Sequence, residues 1–264
     1  MRQRVITAIV ALCVFIPLVI IGGLPLQIFA LILGCIGISE VFVMKKKLLI
    51  SPEATLGLLM TLTVIAPNKW FAFLPGNISS VNVFYFLAAL LLMYMVTSKN
   101  RFSFDDAGVF VLSSLYVGMG FHYFIAARGD NFDGLMTLAY ILIVIWTTDT
   151  GAYSFGRKFG KHKLAPHISP NKTWEGSIGG TLMATLLGSI FVYFFPQNHS
   201  FPVMILITLI LSVFGQCGDL VESAFKRFYG VKDSGRILPG HGGILDRFDS
   251  LIFVWPIMHL FGLM

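Results

Sequence analysis

Nine apolar stretches, each near the length that crosses a bilayer, leave this chain few soluble folds to adopt. A spanning helix needs about 20 mainly apolar residues, fewer where interfacial side chains anchor its ends. The stretches run over residues 5–21, 26–43, 48–66, 81–96, 107–126, 135–148, 175–195, 203–220 and 250–264. The sixth and ninth are short. With 56% hydrophobic and 12% charged residues in 264, and a mean hydropathy of +0.81, an ordinary soluble domain is excluded. The first stretch follows Arg2 and Arg4 and so resembles a secretory signal, but no small-residue cleavage pattern follows it and a second apolar stretch begins at once. It reads as a span. The expectation is an all-α integral membrane protein of about nine transmembrane helices.

Charge sets the orientation. With the amino terminus in the cytoplasm, 17 of the 19 Lys and Arg residues fall in cytoplasmic segments, and only Lys69 and Arg128 fall outside. Lys and Arg accumulate on the inner side of polytopic proteins, so the bias supports both the nine-span count and the orientation. The net charge of +6 therefore implies no nucleic-acid partner. Cys13, Cys35 and Cys217 are widely separated within apolar runs and read as packing residues.

The two parts of the chain differ. Residues 1–135 are apolar helices with short loops and no dense polar cluster, whereas residues 136–264 carry two polar cytoplasmic loops, 149–174 and 221–249. A polar catalytic cavity is expected at the cytoplasmic side of this C-terminal region. Carboxylates at the edge of a membrane are costly, and they usually face a protein interior or an aqueous cavity. Asp149 ends the sixth stretch, Glu175 opens the seventh, Asp219 ends the eighth, and Asp246 and Asp249 lead into the ninth.

If the eighth helix continues past the membrane, Asp219, Glu222, Ser223 and Lys226 share one stripe, and Asp246 and Asp249 stand at i and i+3. Each Asp alone could be a helix cap or a surface ion pair. Two carboxylate-bearing helix ends suit Mg²⁺, which retains water and phosphate oxygens among its ligands. Lys172, Lys226, Arg227, Lys232, Arg236 and Arg247 surround them. Cations beside metal-binding anions are what a polyphosphate requires; a basic loop resting on anionic headgroups would not explain the carboxylates. The run Pro239-Gly240-His241-Gly242-Gly243 reads as a tight turn that lets backbone approach an anion at the start of the ninth helix. His241 is either a metal or phosphate contact or a turn residue.

These residues spell a longer pattern. Residues 223–249 read SAFKRFYGVKDSGRILPGHGGILDRFD, which resembles the signature of the phosphatidate cytidylyltransferase family at every specified position. Residues 169–176 (SPNKTWEG) and 149–156 (DTGAYSFG) look like two further motifs of that family. The detailed resemblance covers about residues 145–250, and the amino-terminal half shares only its multi-span character.

The resemblance implies the reaction of CTP with phosphatidic acid to give CDP-diacylglycerol and pyrophosphate, for phospholipid synthesis at the cytoplasmic face of the cell membrane. It implies Mg²⁺, with a second cation left open, and a homodimer. Asp219 and Asp246 are the expected principal metal ligands, supported by Asp149 and Asp249. Lys172, Lys226 and Arg227 would hold the triphosphate and the lipid phosphate. Ser169, Asn171, Thr173 and Ser223 would contact substrate, while Lys232, Asp233, His241 and Arg247 would order the loop. Two other classes compete. A transporter would place its polar groups near the midplane, and no inverted repeat is visible. Among lipid-modifying enzymes, a polyprenol kinase is the alternative; the motif of the CDP-alcohol phosphotransferases is absent.

Overall fold

A computed structural model describes residues 2–75 and 78–263, apart from the side chains of Arg2 and Arg4. Met264, the last residue of the ninth expected span, lies outside the described residues. The elements are α1 (Arg2–Ile21), α2 (Gly23–Met44), α3 (Pro52–Ile65), a 3₁₀ turn (Asn68–Phe71), α4 (Ser80–Thr97), α5 (Phe104–Arg128), α6 (Phe132–Phe159), β1 (Lys163–Ala165), β2 (Ser169–Thr173), α7 (Trp174–Phe194), α8 (Phe201–Phe228) and α9 (Leu245–Leu260). Helices α2, α4, α5, α6, α7 and α8 are long and apolar enough to cross a membrane, and Val5–Ile21 and α3 are shorter apolar helices. The fold is that of a multi-pass membrane protein.

Local chemistry sets the ends. Gly22 and Gly23 both have positive φ, at 67° and 54°, so only glycine lets α1 turn directly into α2. The third helix begins at Pro52, later than the expected residue 48, because the Ser51 side chain caps the Ala54 N–H and proline takes the first helical position. Two larger corrections concern the polar loops. The expected loop 149–174 is helix as far as Phe159, followed by an antiparallel hairpin that pairs Lys163 with Thr173 and Ala165 with Ser169. The expected loop 221–249 begins with helix as far as Phe228, and α9 starts at Leu245. Both helices run on past their apolar stretches because backbone hydrogen bonding needs only helix-compatible residues, whereas hydropathy ends with the lipid.

The chain divides into two compact units, one comprising residues up to Ile125 together with Asp233–Asp246, the other Ala126–Lys232 together with residues from Arg247 onward. The first unit packs around Ile38, Phe42, Met60, Leu91, Phe102 and Phe110. Phe42 and Phe110 stack with centroids 4.4 Å apart. Gly57 makes room for them, since a Cβ there would lie 2.6 Å from Phe42 and 3.0 Å from Phe110. Asp106 accepts Lys45 at 2.8 Å and Lys47 at 2.9 Å, which ties the end of α2 to the start of α5. Helix α4 buries Leu91 alone and exposes Val81, Tyr85, Phe86 and Val96. Such an apolar outer face is stable only against lipid or another apolar surface.

In the second unit, α6 and α7 meet along glycines. A Cβ on Gly180 would fall 2.5 Å from the Thr148 carbonyl oxygen, and one on Gly176 would fall 2.6 Å from that of Ala152. Small residues let helix backbones approach closely where apolar burial gives no preference for protein over lipid. Hydroxyls extend the seam: Thr148 Oγ1 lies 2.8 Å from Ser212 Oγ, Ser212 donates to Thr181 at 3.2 Å, and Gln216 donates to Thr181 at 2.9 Å. Each of these polar groups thus has a partner, as lipid surroundings require.

Candidate active site

Because α6 is helical through residue 159, Asp149, Tyr153, Gly156 and Arg157 fall on one face. That face lines a cavity of about 480 Å³ shared with Asn171, Lys172 and Thr173 of β2, Gly176 and Ser177 of α7, and Gln216 and Asp219 of α8. All three sequence motifs therefore contribute to the second unit, and two of them wall the same cavity.

The hairpin is fixed to α7 by its own first residues. Thr173 ends β2 and caps α7 by accepting the Gly176 N–H at 3.2 Å. Its side chain also lies where a Cβ on Gly156 or Gly160 would sit, within 2.8–3.0 Å. Glu175 accepts the N–H groups of Lys161 at 3.1 Å and His162 at 3.2 Å, and pairs with the His162 ring at 2.6 Å. Glu175, expected only as an edge carboxylate, is thus an anchor of the hairpin.

The charges alternate in sign. Lys172 Nζ lies 2.5 Å from Asp219 Oδ2, and Ser223 donates to Asp219 Oδ1 at 3.3 Å. Asp149 feels Asp219, Lys172 and Arg247 electrostatically, and Asp249 feels Asp219, Glu222 and Asp149. The backbones of α8 and α9 touch beside them, since a Cβ on Gly218 would fall 2.8 Å from the Asp249 carbonyl oxygen and 3.1 Å from Ser250 Cα. Glu222 is buried and paired with Lys226, which confirms the expected stripe along α8. Arg227 donates to the carbonyls of Ile168 and Val231, both at 3.1 Å, so it links the hairpin turn to the end of α8. Ser169 is half-buried on β2, and Lys232 and Arg247 are exposed.

Asp233, His241 and Asp246 belong to the first unit. Leu238 and Gly242 bridge across Pro239–His241, with Gly240 and Gly242 at φ 78° and 86°, so the expected tight turn is present. Asp246 Oδ2 accepts the N–H groups of Ser234 and Gly243, each at 2.8 Å, and the Ser234 hydroxyl at 2.9 Å. The N–H groups of Ile244 and Leu245 donate to Glu40 of α2 at 2.7 and 2.9 Å. Glu40 of the amino-terminal stretch thus joins a polar cluster whose other members come from residues 234–246; a single Glu in an apolar run was its only sequence signal. Tyr153 and Arg157 were also missed, because their helical register shows only once α6 is extended, and Ser177 and Gln216 were missed because they are uncharged polar residues inside apolar stretches.

Among the described residues, no three His, Cys, Asp or Glu side chains cluster as a ready metal cage. Mg²⁺ does not need one, because it commonly takes one or two carboxylates and completes its shell with water and phosphate oxygens. Asp219, with Asp149 and Asp249 in electrostatic reach, fits that donor chemistry.

The chain is similar to known proteins along nearly its whole length. The model of the Cytidylyltransferase family matches residues 2–264. A phosphatidate cytidylyltransferase of Bacillus subtilis (strain 168) is 48% identical over 259 residues, covering 98% of this chain and 96% of the relative. Those of Staphylococcus haemolyticus (strain JCSC1435) and Staphylococcus aureus (strain COL) are 47% and 45% identical, each alignment covering 98% of both chains. With the match running through both units and all three motifs, the chain belongs to the cytidylyltransferase family.

Proposed function

We propose that the chain transfers the cytidylyl group of CTP to phosphatidic acid, releasing pyrophosphate and leaving CDP-diacylglycerol in the cell membrane, with the cavity open to the cytoplasm. The observation that carries this reading is the wall on which Lys172 meets Asp219 while Asp149 and Arg157 line the same space. A volume of about 480 Å³ falls in the roughly 300–1,000 Å³ range of small-molecule sites.

An oxygen of the lipid phosphate attacks the α-phosphorus of CTP. The new P–O bond forms as the bond to the β-phosphate oxygen breaks, and pyrophosphate leaves with that electron pair. A phosphate monoester has a second pKa of about 6, so the nucleophile is already anionic and needs no dedicated base. The protein's part is placement and neutralisation of charge. Lys172 and Arg157 offset the triphosphate charge, and Asn171, Ser177 and Gln216 orient it through their polar groups. Asp219, with Asp149 and Asp249, would hold Mg²⁺, and the sequence motif gives Asp246 the same role. Bound there, the ion would neutralise charge on phosphate oxygens. Lys226, Arg227, Ser169, Thr173, Ser223, Lys232, Asp233, His241 and Arg247 are retained from the family motif as substrate contacts or residues that order the loops. The distribution of basic residues supports a cytoplasmic amino terminus and nine spans, and the resemblance supports a homodimer.

Purified protein in detergent, given phosphatidic acid, labelled CTP and Mg²⁺, should form labelled CDP-diacylglycerol, and a chelator should stop it. Asp219→Asn should lower turnover by about 100-fold or more in protein that remains folded. Near-wild-type turnover in that variant, or indifference to the chelator, would refute the assignment.

A further inference from the structure

Glu40 lies 204 and 205 residues from the amides it binds, near the carboxyl end of the apolar helix α2, with 6% of its surface exposed. An isolated carboxylate buried in such a place is costly, and it persists only where donors surround it. Here they do. Oε1 accepts the Ile244 N–H at 2.7 Å, while Oε2 accepts the Leu245 N–H at 2.9 Å and the Ser234 hydroxyl at 3.0 Å. Ile244 and Leu245 open α9, so Glu40 caps that helix from another helix and sets a negative charge against its amino end.

The loop is shaped around this carboxylate. A Cβ on Gly235 would lie 2.6 Å from Glu40 Oε1, and one on Gly243 would collide with the same oxygen and with Ser234 Oγ. The glycines thus admit Glu40 where any side chain would displace it. Ser234 joins Glu40 to Asp246, since its hydroxyl stands within 3.0 Å of one carboxylate and 2.9 Å of the other.

We propose that Glu40 is a positioning residue: by gripping Ile244, Leu245 and Ser234, it fixes the segment that orients Asp246. Its importance for turnover rests on the cytidylyltransferase reading given above, whereas its grip on the segment does not.

The test uses the full-length protein with Glu40→Gln and, separately, Ser234→Ala. A glutamine can keep one acceptor, but its NH₂ must then face a backbone N–H. Hydrogen exchange of the peptide spanning residues 233–246 should quicken several-fold in Glu40→Gln, whether or not the wild type turns over. In active preparations, kcat per folded molecule should fall about 10- to 100-fold, and the Mg²⁺ concentration for half-maximal rate should rise in both variants. A merely structural Glu40 would lower the folded yield and leave the Mg²⁺ dependence of the remaining molecules unchanged. Should Glu40→Gln fail to fold, Ser234→Ala decides through the same two readouts. Wild-type exchange in the segment, or altered exchange with unchanged kcat and Mg²⁺ dependence, overturns the proposal. A wild type that makes no CDP-diacylglycerol overturns the functional reading instead.

Discussion

Replacing Gly180 with alanine sets two physical effects against each other. Alanine is favoured over glycine inside a helix by about 1 kcal/mol, so on an open helix face the change would stabilise. At Gly180 the added carbon would sit 2.5 Å from the Thr148 carbonyl oxygen and 2.8 Å from the Ala152 nitrogen. An ordinary close C···O approach is roughly 3.3 Å, so α6 and α7 must part by about 0.8 Å. Neither contact is with a side chain that could turn aside. Overpacking of this kind costs about 1–3 kcal/mol, which cancels or exceeds the propensity gain. The larger consequence is for the reaction, because Thr148 precedes Asp149 and Ala152 precedes Tyr153, and both of those line the cavity. A misplacement near 1 Å can cost about 100-fold in rate. Gly180→Ala should therefore lose turnover far more than stability, as measured by product formation and thermal unfolding in detergent. Leu182→Ala, two residues on and 64% exposed, should leave turnover unchanged. Wild-type turnover in Gly180→Ala would show that the seam does not set the cavity's geometry.

Lys172→Met removes the cation that touches Asp219 while keeping much of the side chain's bulk, so the KM for CTP should rise about tenfold or more; an unchanged KM with lowered kcat would place Lys172 elsewhere in the reaction. Asp106→Asn breaks the ion pairs to Lys45 and Lys47, which are partly shielded from water, and should lower stability by about 1–2 kcal/mol, seen as an earlier unfolding transition with turnover per folded molecule intact.

The membrane class, the nine helical segments among the described residues and the two motif-bearing polar regions were legible in the sequence because hydropathy and motif spacing are local signals. Asp149, Asn171, Lys172, Thr173 and Asp219 were recoverable as one site for the same reason. The end of α6 was not, since hydropathy stops where lipid stops while the helix continues to Phe159, and the continuation of α8 to Phe228 was legible only as a condition of the Asp219–Lys226 stripe. That error hid Tyr153 and Arg157, whose register with Asp149 exists only on a continuous helix. Glu40 was hidden differently. Nothing near it in sequence explains a carboxylate among Gly, Ile and Val, and its partners lie some two hundred residues away. The glycines at 242 and 243 did signal a close approach, and the carboxylates of Asp246 and Glu40 stand against them.

Thr173 gives the cavity a mechanical property. It is at once the last residue of β2, the cap of α7 and a wedge against Gly156 of α6 and Gly160, which ends that helix. Lys172, its neighbour, is therefore mounted on a welded joint. Arg227 ties the turn end of the same ribbon to the end of α8 through the Ile168 carbonyl, so the strand that carries the lysine is held at both ends.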